Sequence, residues 1–313
     1  MTGGAVGDHV MPEQRRHLPR LGRPRIPIDL RREHHHREFA LEDLMAAKGS
    51  HRISLCIPAR NEAATVGLIV TTLHSALVRE SSRLADLVVI DHASTDATAQ
   101  IARDAGARVI SADSVLPDYG PALGKGDVLW RSLAATTGDI VVWLDADLVG
   151  LTADVVVGLV GPLLADPSVT LVRAVYERTL SGQTGEGGRV TELTARPVLS
   201  LLHPRLAHVR QPLGGEYAAR REVLESVPFE PDYGVEMGLL IDIAAAWGAE
   251  SIAQVDVGTR VHRNRPLSSL TGQAREVLRA ALSRADTSAA PGLRGDLPLR
   301  PPMRDVRERA LVG

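Results

Sequence analysis

The chain has 313 residues, of which 44% are hydrophobic and 24% are charged, with a formal net charge of −2. This length suits one large domain or two ordinary ones, and the hydrophobic fraction is enough to fill a core. The near-neutral charge gives no reason to expect a nucleic-acid or membrane-surface partner. No run of about 18 uncharged apolar residues occurs, so no transmembrane helix is predicted.

The single cysteine and the two chain ends allow predictions of the cellular compartment and of the ordered part of the chain. Cys56 lies in an apolar strand pattern, where core packing is its expected role. One cysteine forms no internal disulfide framework, and no apolar segment typical of a secretory signal is seen, so we expect a cytoplasmic protein. Residues 1–45 and 286–313 are rich in Arg, Pro and Gly and lack periodicity. Both are predicted to be mobile tails, and the histidines at 34–36 are interpreted as part of the first.

Between the tails, apolar runs alternate with amphipathic ones. Helical spacing begins at Val66 after the first apolar run, and a second helix is predicted to start near Asp96. Strands alternating with helices predict an α/β fold whose mostly parallel sheet is covered on both faces. The predicted strands are residues 53–57, 87–90, 107–111, 139–144 and 169–176.

Three polar clusters follow predicted strands: "PARNE" after the first, "DHASTD" after the second and "DAD" after the fourth. In open sheets of this kind, ligands bind beyond the carboxyl ends of the strands. The clusters therefore predict a ligand site along one edge of the sheet.

The pair Asp145 and Asp147 ends the fourth predicted strand. Side chains two residues apart on an extended chain share a face, and two close carboxylates repel each other unless a cation binds. Hard oxygen ligands suit Mg²⁺ or Mn²⁺, and substrate phosphates can complete the coordination shell. Taken alone, so short a pattern fits solvated acids at a strand end at least as well.

Two further segments suit phosphate and a nucleoside. Gly124 and Gly126 allow a close backbone approach, and Lys125 supplies a point charge for phosphate. Residues 60–62 lie where a strand hands over to a helix, and their side chains and free N–H groups suit a base edge and a ribose. A flexible surface loop would equally explain the first segment, and simple helix capping the second.

Two later segments combine cations with other polar groups. In "GEGGRVTE", Arg189 precedes a helical run and Thr191 lies just inside it, which suits a phosphate; a Gly-rich turn with an exposed Arg is the alternative. In "RVHRNR", Arg260, His262 and Asn264 share one face of an extended segment, an arrangement that makes His262 a candidate metal ligand.

The segments "PARNEAATV", "VVIDHASTDAT" and "GKGDVLWRSLAATTGDIVVWLDADL" together resemble the GT-A glycosyltransferases that use nucleotide-diphosphate sugars. Four later segments resemble, in the same order, the glucosyl-3-phosphoglycerate synthases of actinobacteria: "GGRVTELTARPVLSLL", "QPLGGEYAARREVLESVPF", "YGVEMGLLID" and "IAQVDVGTRVHRNRPL". The early motifs are shared by many GT-A enzymes, whereas the later four are long and highly specific. The resemblance covers about residues 52–285.

This resemblance implies a GT-A fold, in which a Rossmann-like nucleotide-binding sheet is joined to a C-terminal acceptor-binding portion. Residues 46–165 would form the nucleotide-sugar-binding half, and residues 166–285 the half that binds the acceptor and completes the metal site. The implied activity is retaining, metal-dependent transfer of glucose from UDP-glucose to the 2-hydroxyl of 3-phospho-D-glycerate. Mg²⁺ or Mn²⁺ would be the cofactor, and the chain would form a homodimer with no nucleic-acid or membrane partner.

The resemblance also assigns site residues at the matching positions of this chain. Asp147 and His262 would bind the metal, and Lys125, Glu236 and Arg260 would be catalytic. The implied acceptor-binding residues are Gly188, Arg189, Thr191 and Asn264. The implied donor-binding residues are Pro58, Ala59, Arg60, Asn61, Glu62, Asp91, His92, Lys125, Asp145 and Ala146.

One departure concerns the second cluster, where His92 follows Asp91 and the family has a small hydroxyl residue. His92 must contact the base differently, so the choice between UDP and GDP donors stays open. The nearest competing activity is transfer from GDP-mannose to give mannosyl-3-phosphoglycerate, because one or two hydroxyl contacts separate epimeric hexoses. A polyprenyl-phosphate glycosyltransferase, a sugar-1-phosphate nucleotidyltransferase and a non-catalytic sugar-nucleotide sensor would also account for parts of the pattern.

Overall fold

The structure, a computed structural model, describes residues 32–79, 85–180, 183–184, 188–261 and 266–285. Both chain ends that the sequence analysis predicts to be tails lie largely outside these ranges. No helix within them is long and apolar enough to cross a bilayer.

The strands are β1 (Glu33–His35), β2 (Ile53–Ala59), β3 (Ala85–Asp91), β4 (Arg108–Ser111), β5 (Ile140–Trp143), β6 (Leu171–Leu180), β7 (Gln183–Thr184), β8 (Tyr217–Arg220) and β9 (Ile252–Val261). The helices are α1 (Leu41–Lys48), α2 (Val66–Leu73), α3 (Thr98–Asp104), α4 (Lys125–Ala135), α5 (Ala153–Ala165), α6 (Arg196–Leu202), α7 (Arg221–Leu224), α8 (Val235–Trp247) and α9 (Leu270–Ser283).

The described strands form one sheet in the order β1-β9-β6-β8-β5-β2-β3-β4, and β7 pairs with the end of β6. The pairs β2–β3, β2–β5, β3–β4, β6–β9 and β1–β9 are parallel. The predicted α/β class with a mostly parallel sheet is therefore confirmed. The five predicted strands correspond to β2 through β6, with bounds that differ by a few residues.

Strand β8 is an element that the sequence analysis does not predict. It runs antiparallel between β5 and β6 and so joins the two parts of the sheet. Its first three residues are buried and Arg220 is partly exposed, and two of the four are alanines, so the segment shows neither alternation nor a long apolar run. A strand this short has no periodic signal in the sequence.

Apolar cores cover both faces of the sheet, as predicted. Leu55 and Ile57 of β2 point into the core beneath α2 and α5, whereas Cys56 points into the core beneath α4 and α8. Successive strand residues face opposite sides, so one apolar strand serves both cores. Burial raises the pKa of the Cys56 thiol to about 12, which keeps it an unreactive core residue.

The N-terminal segment differs from its prediction, because β1 and α1 lie partly inside the range assigned to the first tail. β1 adds to the free edge of β9, with Glu33 paired to Gln254. Phe39 then lies on α5 at Gly161, where an added Cβ would come 2.2 Å from its ring. The segment is held by backbone pairing with β9 and by packing of Phe39 against a glycine of α5. Neither contact requires a periodic pattern of apolar residues within the segment. The histidines at 34–36 therefore belong to the sheet edge rather than to a tail.

Candidate active site

A cavity of about 430 Å³ opens where the carboxyl ends of β2, β3 and β5 meet the starts of α4 and α8. The three polar clusters of the sequence converge on this edge. Thirteen of the predicted site residues line the cavity: Pro58, Ala59, Arg60, Glu62, His92, Lys125, Asp145, Ala146, Asp147, Gly188, Arg189, Thr191 and Glu236.

Lys125 occupies the centre of the site. Its Nζ lies 2.8 Å from Asp145 Oδ1 and 2.8 Å from Glu236 Oε1, although the three residues are far apart in sequence. Burial by itself lowers the pKa of the Lys125 ammonium, but the two carboxylates outweigh burial and hold that pKa well above its ordinary value. Lys125 is therefore a fixed positive charge at neutral pH, and it compensates the charge of Glu236, whose side chain is only 4% exposed.

The first turn of α4 is held in place by residues 230–232. An added Cβ at Gly126 would come 1.8 Å from the Glu230 carbonyl oxygen, so only glycine allows the two backbones this approach. The Asp127 N–H then donates to the Pro231 carbonyl at 2.9 Å. The Gly-Lys-Gly motif thus serves helix docking at Gly126 and leaves the Lys125 side chain in the cavity.

Asp145 is held by the loop that precedes β8. An added Cβ at Gly215 would come 2.2 Å from Asp145 Oδ2, so the carboxylate lies directly on the glycine. Buried Arg173 of β6 fixes this loop by donating to the Gly214 carbonyl at 2.7 Å. The Thr65 hydroxyl donates to the Ala146 carbonyl at 2.7 Å, which holds the other side of the turn.

Asn61 and Asp91 do not line the cavity. Their hydrogen bonds stabilise the loops that follow β2 and β3. The Asn61 N–H donates to Ser94 Oγ at 3.0 Å, and Asn61 Oδ1 accepts the Thr95 N–H at 2.8 Å. Asp91 Oδ2 accepts the Ser94 N–H at 3.3 Å. Asn61 has a φ of 57°, a left-handed conformation that asparagine tolerates. The donor-binding role assigned to these two residues stays a prediction.

His92 joins the loops that follow β2 and β3 to the segment that leads into α4. Its backbone N–H donates to the Ala59 carbonyl at 2.9 Å, and its Nε2 lies 3.1 Å from the Ala122 carbonyl oxygen. A carbonyl oxygen only accepts, so Nε2 carries a hydrogen and, in the neutral ring, Nδ1 is an acceptor. The imidazole therefore spans the cavity wall between β2 and the segment that leads into α4.

The opposite side of the cavity is the turn from Gly188 to Thr191. Gly188 has a φ of 77°, and its carbonyl accepts the Glu192 N–H at 2.9 Å as a π-helical turn begins at Thr191. This places Arg189 and Thr191 on the cavity wall. The side chain of Arg260 lies outside the described part of the chain, as do His262 and Asn264, so their assigned roles stay predictions.

The charges that line the cavity favour a bound cation. In the described part of the chain, Glu62, Asp145, Asp147, Asp232 and Glu236 oppose Arg60, Lys125 and Arg189, an excess of two negative charges when His92 is neutral. No three His, Cys, Asp or Glu side chains of the described residues are grouped to hold a metal. A carboxylate such as Asp147 still fits a hard divalent ion that takes its remaining ligands from substrate phosphates.

Several lining residues are missed by the sequence analysis: Tyr176, Leu213, Gly215, Asp232, Tyr233, Leu270 and Gln273. Tyr176 lies in β6 and the others lie in loops or at helix starts, and none of them belongs to a short chemical pattern. The pair Gly214-Gly215 is a sequence signal that would have predicted a close contact, because adjacent glycines allow a tight backbone approach.

Comparison with known proteins gives consistent matches. The Glycosyl transferase family 2 profile matches residues 54–224. The glucosyl-3-phosphoglycerate synthase of Mycolicibacterium smegmatis is 48% identical over 80% of this chain and 83% of its own length. The synthase of the same name from Petrotoga mobilis is 44% identical over 82% and 81%.

Solved structures agree with the sequence matches. Glucosyl-3-phosphoglycerate synthase from Mycobacterium tuberculosis in complex with Mn²⁺, UDP-glucose and phosphoglyceric acid superposes with a TM-score of 0.72 at 47% identity, covering 79% of this chain and 84% of that one. The complex of that enzyme with phosphoglyceric acid superposes with a TM-score of 0.75 at 46% identity, covering 81% and 87%. The predicted GT-A fold is confirmed by these matches.

Proposed function

The chain belongs to glycosyl transferase family 2 and, within it, to the glucosyl-3-phosphoglycerate synthases, and we propose on this premise how its residues carry out the reaction. It is a metal-dependent glycosyltransferase that transfers glucose from UDP-glucose to 3-phosphoglycerate. The observation that carries the residue assignments is the Lys125 ammonium held at 2.8 Å from both Asp145 and Glu236 inside the cavity.

The donor lies along the carboxyl ends of β2, β3 and β5. Its uridine occupies the side lined by residues 58–60, Glu62 and His92, and its diphosphate and glucose reach Lys125 and Asp145. Glu236 is buried and faces the same ammonium, so it is placed to accept hydrogen bonds from glucose hydroxyls. Because Lys125 holds both carboxylates, it sets where the sugar is bound.

His92 reads the base through its ring. The Ala122 carbonyl fixes the hydrogen on Nε2, which leaves Nδ1 as the acceptor of the neutral imidazole. Uracil carries one N–H donor between two carbonyl acceptors, and an Nδ1 acceptor matches that donor. This contact takes the place of the small hydroxyl residue that the family has at this position.

Mg²⁺ or Mn²⁺, when bound, neutralises the charge that develops on the departing UDP. Asp147 and His262 are the residues of this chain that would hold it. Lys125 and Arg260 add fixed positive charge near the same phosphates, which stabilises the transition state without reorganisation.

The acceptor binds at the turn from Gly188 to Thr191. Arg189 and Thr191, with Asn264, would hold its phosphate and carboxylate. The bond from the glucose anomeric carbon to UDP breaks, and the 2-hydroxyl oxygen of the acceptor bonds to that carbon on the same face. Attack on the face that UDP leaves retains the configuration without a protein nucleophile, and the hydroxyl proton passes to the leaving phosphate.

A donor panel tests the proposal. The purified chain is incubated with 3-phosphoglycerate and UDP-glucose, UDP-mannose, GDP-glucose or GDP-mannose, and release of nucleoside diphosphate is measured. We expect release with UDP-glucose. The rate with GDP-mannose should be about 10²-fold lower, because a mismatched base leaves buried polar groups unpaired. Removal of divalent metal by a chelator abolishes the reaction, and added Mg²⁺ restores it.

Each control of this panel excludes one competing function. Omission of the acceptor stops transfer and leaves only slow hydrolysis of the donor. Faster turnover of GDP-mannose overturns the UDP-glucose assignment, and release of inorganic pyrophosphate identifies a nucleotidyltransferase instead. Tight binding of UDP-glucose without turnover identifies a sensor.

We also propose that the chain is a cytoplasmic homodimer with two functional halves, residues 46–165 and 166–285. The single cysteine, buried and unreactive, supports a reducing compartment. Exposed leucines on the neighbouring helices α6 and α9 and the turns before them support self-association. They are Leu193, Leu201, Leu267, Leu278 and Leu282.

A further inference from the structure

We propose that Asp232 is a positioning residue that locks the starts of α4 and α8 together, so that Lys125 reaches both Asp145 and Glu236. The role in turnover rests on the proposed function, whereas the effect on the position of Lys125 does not. Asp232 belongs to none of the chemical patterns in the sequence, and it lines the cavity beside Lys125.

The Asp232 side chain packs on the start of α4. Its Oδ1 accepts the Lys125 N–H at 3.4 Å, and an added Cβ at Gly124 would come 2.7 Å from the same carboxylate. The first N–H groups of a helix have no partner within the helix, and a carboxylate near them is favoured by the helix dipole. Asp232 therefore caps α4 from a distant part of the chain.

The Asp232 backbone forms the turn that leads into α8. Its carbonyl accepts the Val235 N–H at 3.1 Å, and the next residue of that helix is Glu236. Lys125 is the first residue of α4, and Glu236 is the second residue of α8. One residue thus contacts the starts of both helices whose side chains meet 2.8 Å apart in the cavity.

Asp232 makes no described hydrogen bond to the loops at the nucleoside end of the cavity. The loops that hold the base are joined through Asn61, Ser94 and His92, and none of their described hydrogen bonds involves residues 230–232. Loss of the Asp232 carboxylate should therefore release Lys125 while the uridine side of the cavity stays intact.

Labelling of lysines tests this directly, because the chain contains two lysines, Lys48 and Lys125. Acetic anhydride acylates the neutral amine, so a paired lysine with a raised pKa reacts slowly. In the unchanged protein, we expect Lys125 to react about tenfold or more slowly than Lys48, because its ammonium is paired with two carboxylates and its side chain is only 21% exposed. Peptide mass mapping gives both rates in one experiment, with Lys48 as the internal control.

The variants are Asp232→Ala and Asp232→Asn. We expect Asp232→Ala to raise the Lys125 rate about threefold or more with the Lys48 rate unchanged, and Asp232→Asn to raise it less, because an amide oxygen still accepts a hydrogen bond. An unchanged Lys125 rate in Asp232→Ala overturns the proposal. A rise at both lysines, with a lowered melting temperature, shows general loosening and also overturns it.

Kinetics in two backgrounds test the consequence for turnover. Asp232→Ala should lower kcat about tenfold while the Kd of UDP stays within about twofold, because only the lysine end of the site is misplaced. In a Lys125→Met background, the same change should lower kcat no further, since its effect passes through Lys125. An additive effect in that background overturns the positioning role. If the unchanged protein turns over no donor, the proposed function fails, and the labelling rates still decide the position of Lys125.

Discussion

Lys125 shows how one residue combines charge compensation with site geometry. Glu236 is almost fully buried, and a buried carboxylate without a cation beside it is strongly destabilised. Asp145 is more exposed and belongs to the strand end. The ammonium between them satisfies both, so the arrangement is stable before any substrate binds.

The raised pKa of Lys125 predicts how stability depends on pH. A lysine whose pKa is raised on folding stabilises the protein fully below the pKa of the unfolded chain, about 10.4, and loses that contribution as pH rises through the folded value. The difference in unfolding free energy between the unchanged protein and Lys125→Met should therefore be constant from about pH 7 to 9 and decrease above about 10.4. Urea denaturation at each pH measures it, with Lys48→Met as the control. A difference that increases between pH 7 and 9 would show that burial outweighs the two carboxylates and lowers the pKa of Lys125 in the folded protein.

Among the elements, α4 depends most on close backbone contact. Its first turn meets the segment before α8, and glycines at positions 124 and 126 make room for that segment. Helix propensity alone disfavours glycine inside a helix by about 1 kcal/mol relative to alanine. At Gly126 the close approach of the Glu230 carbonyl outweighs this preference.

Substitution of Gly126 tests the role of this contact. In Gly126→Ala, the new Cβ would lie 1.8 Å from a backbone oxygen, so the segment that carries Asp232 and Glu236 must move. We expect a loss of about 2 kcal/mol of stability and a drop in kcat of about tenfold or more. Gly272→Ala in α9 is the matched control, because a Cβ there meets no atom within 4 Å. It should raise stability by up to about 1 kcal/mol and leave kcat unchanged. Equal effects of the two substitutions on stability and kcat would refute the proposed role of the Gly126 contact.

At the scale of the whole molecule, the exposed leucines on α6 and α9 bear on the proposed assembly. Leu278 and Leu282 lie one turn apart on α9 and are 38% and 46% exposed. The amphipathic pattern that buries one face of α9 leaves these two on another face, next to α6. A second copy of the chain would cover them.

Light scattering coupled to size-exclusion chromatography tests the homodimer. The mass of one chain is 33.5 kDa, and we expect twice that mass for the unchanged protein. Leu282→Glu should give the mass of a single chain, because a carboxylate buried in an apolar interface costs several kcal/mol. Leu68→Glu on α2, where the leucine is 70% exposed, is the matched control and should leave the mass unchanged. A single-chain mass for the unchanged protein contradicts the dimer, and a dimeric Leu282→Glu places the interface elsewhere.

The sequence by itself determined the α/β class, the strands β2 to β6 and most of the residues that line the cavity. Apolar runs, helical spacing and polar residues at strand ends are local patterns, and a parallel sheet brings its strand ends to one edge whatever the loops do. Long segments resembling one family pointed to the reaction. Asp145 and Lys125 could be named as site residues for the same reason.

Only the tertiary structure decided which of these residues meet. The position of Lys125 between Asp145 and Glu236 depends on how α8 docks on α4, and the contacts that set this docking join residues more than a hundred positions apart. The antiparallel β8 and the edge strand β1 are held by backbone hydrogen bonds, which any side chain allows and no sequence pattern records. No sequence pattern predicts the role of Asp232, for the same physical reason. Its role comes from contact with two helix starts, and its neighbours along the chain do not indicate that contact.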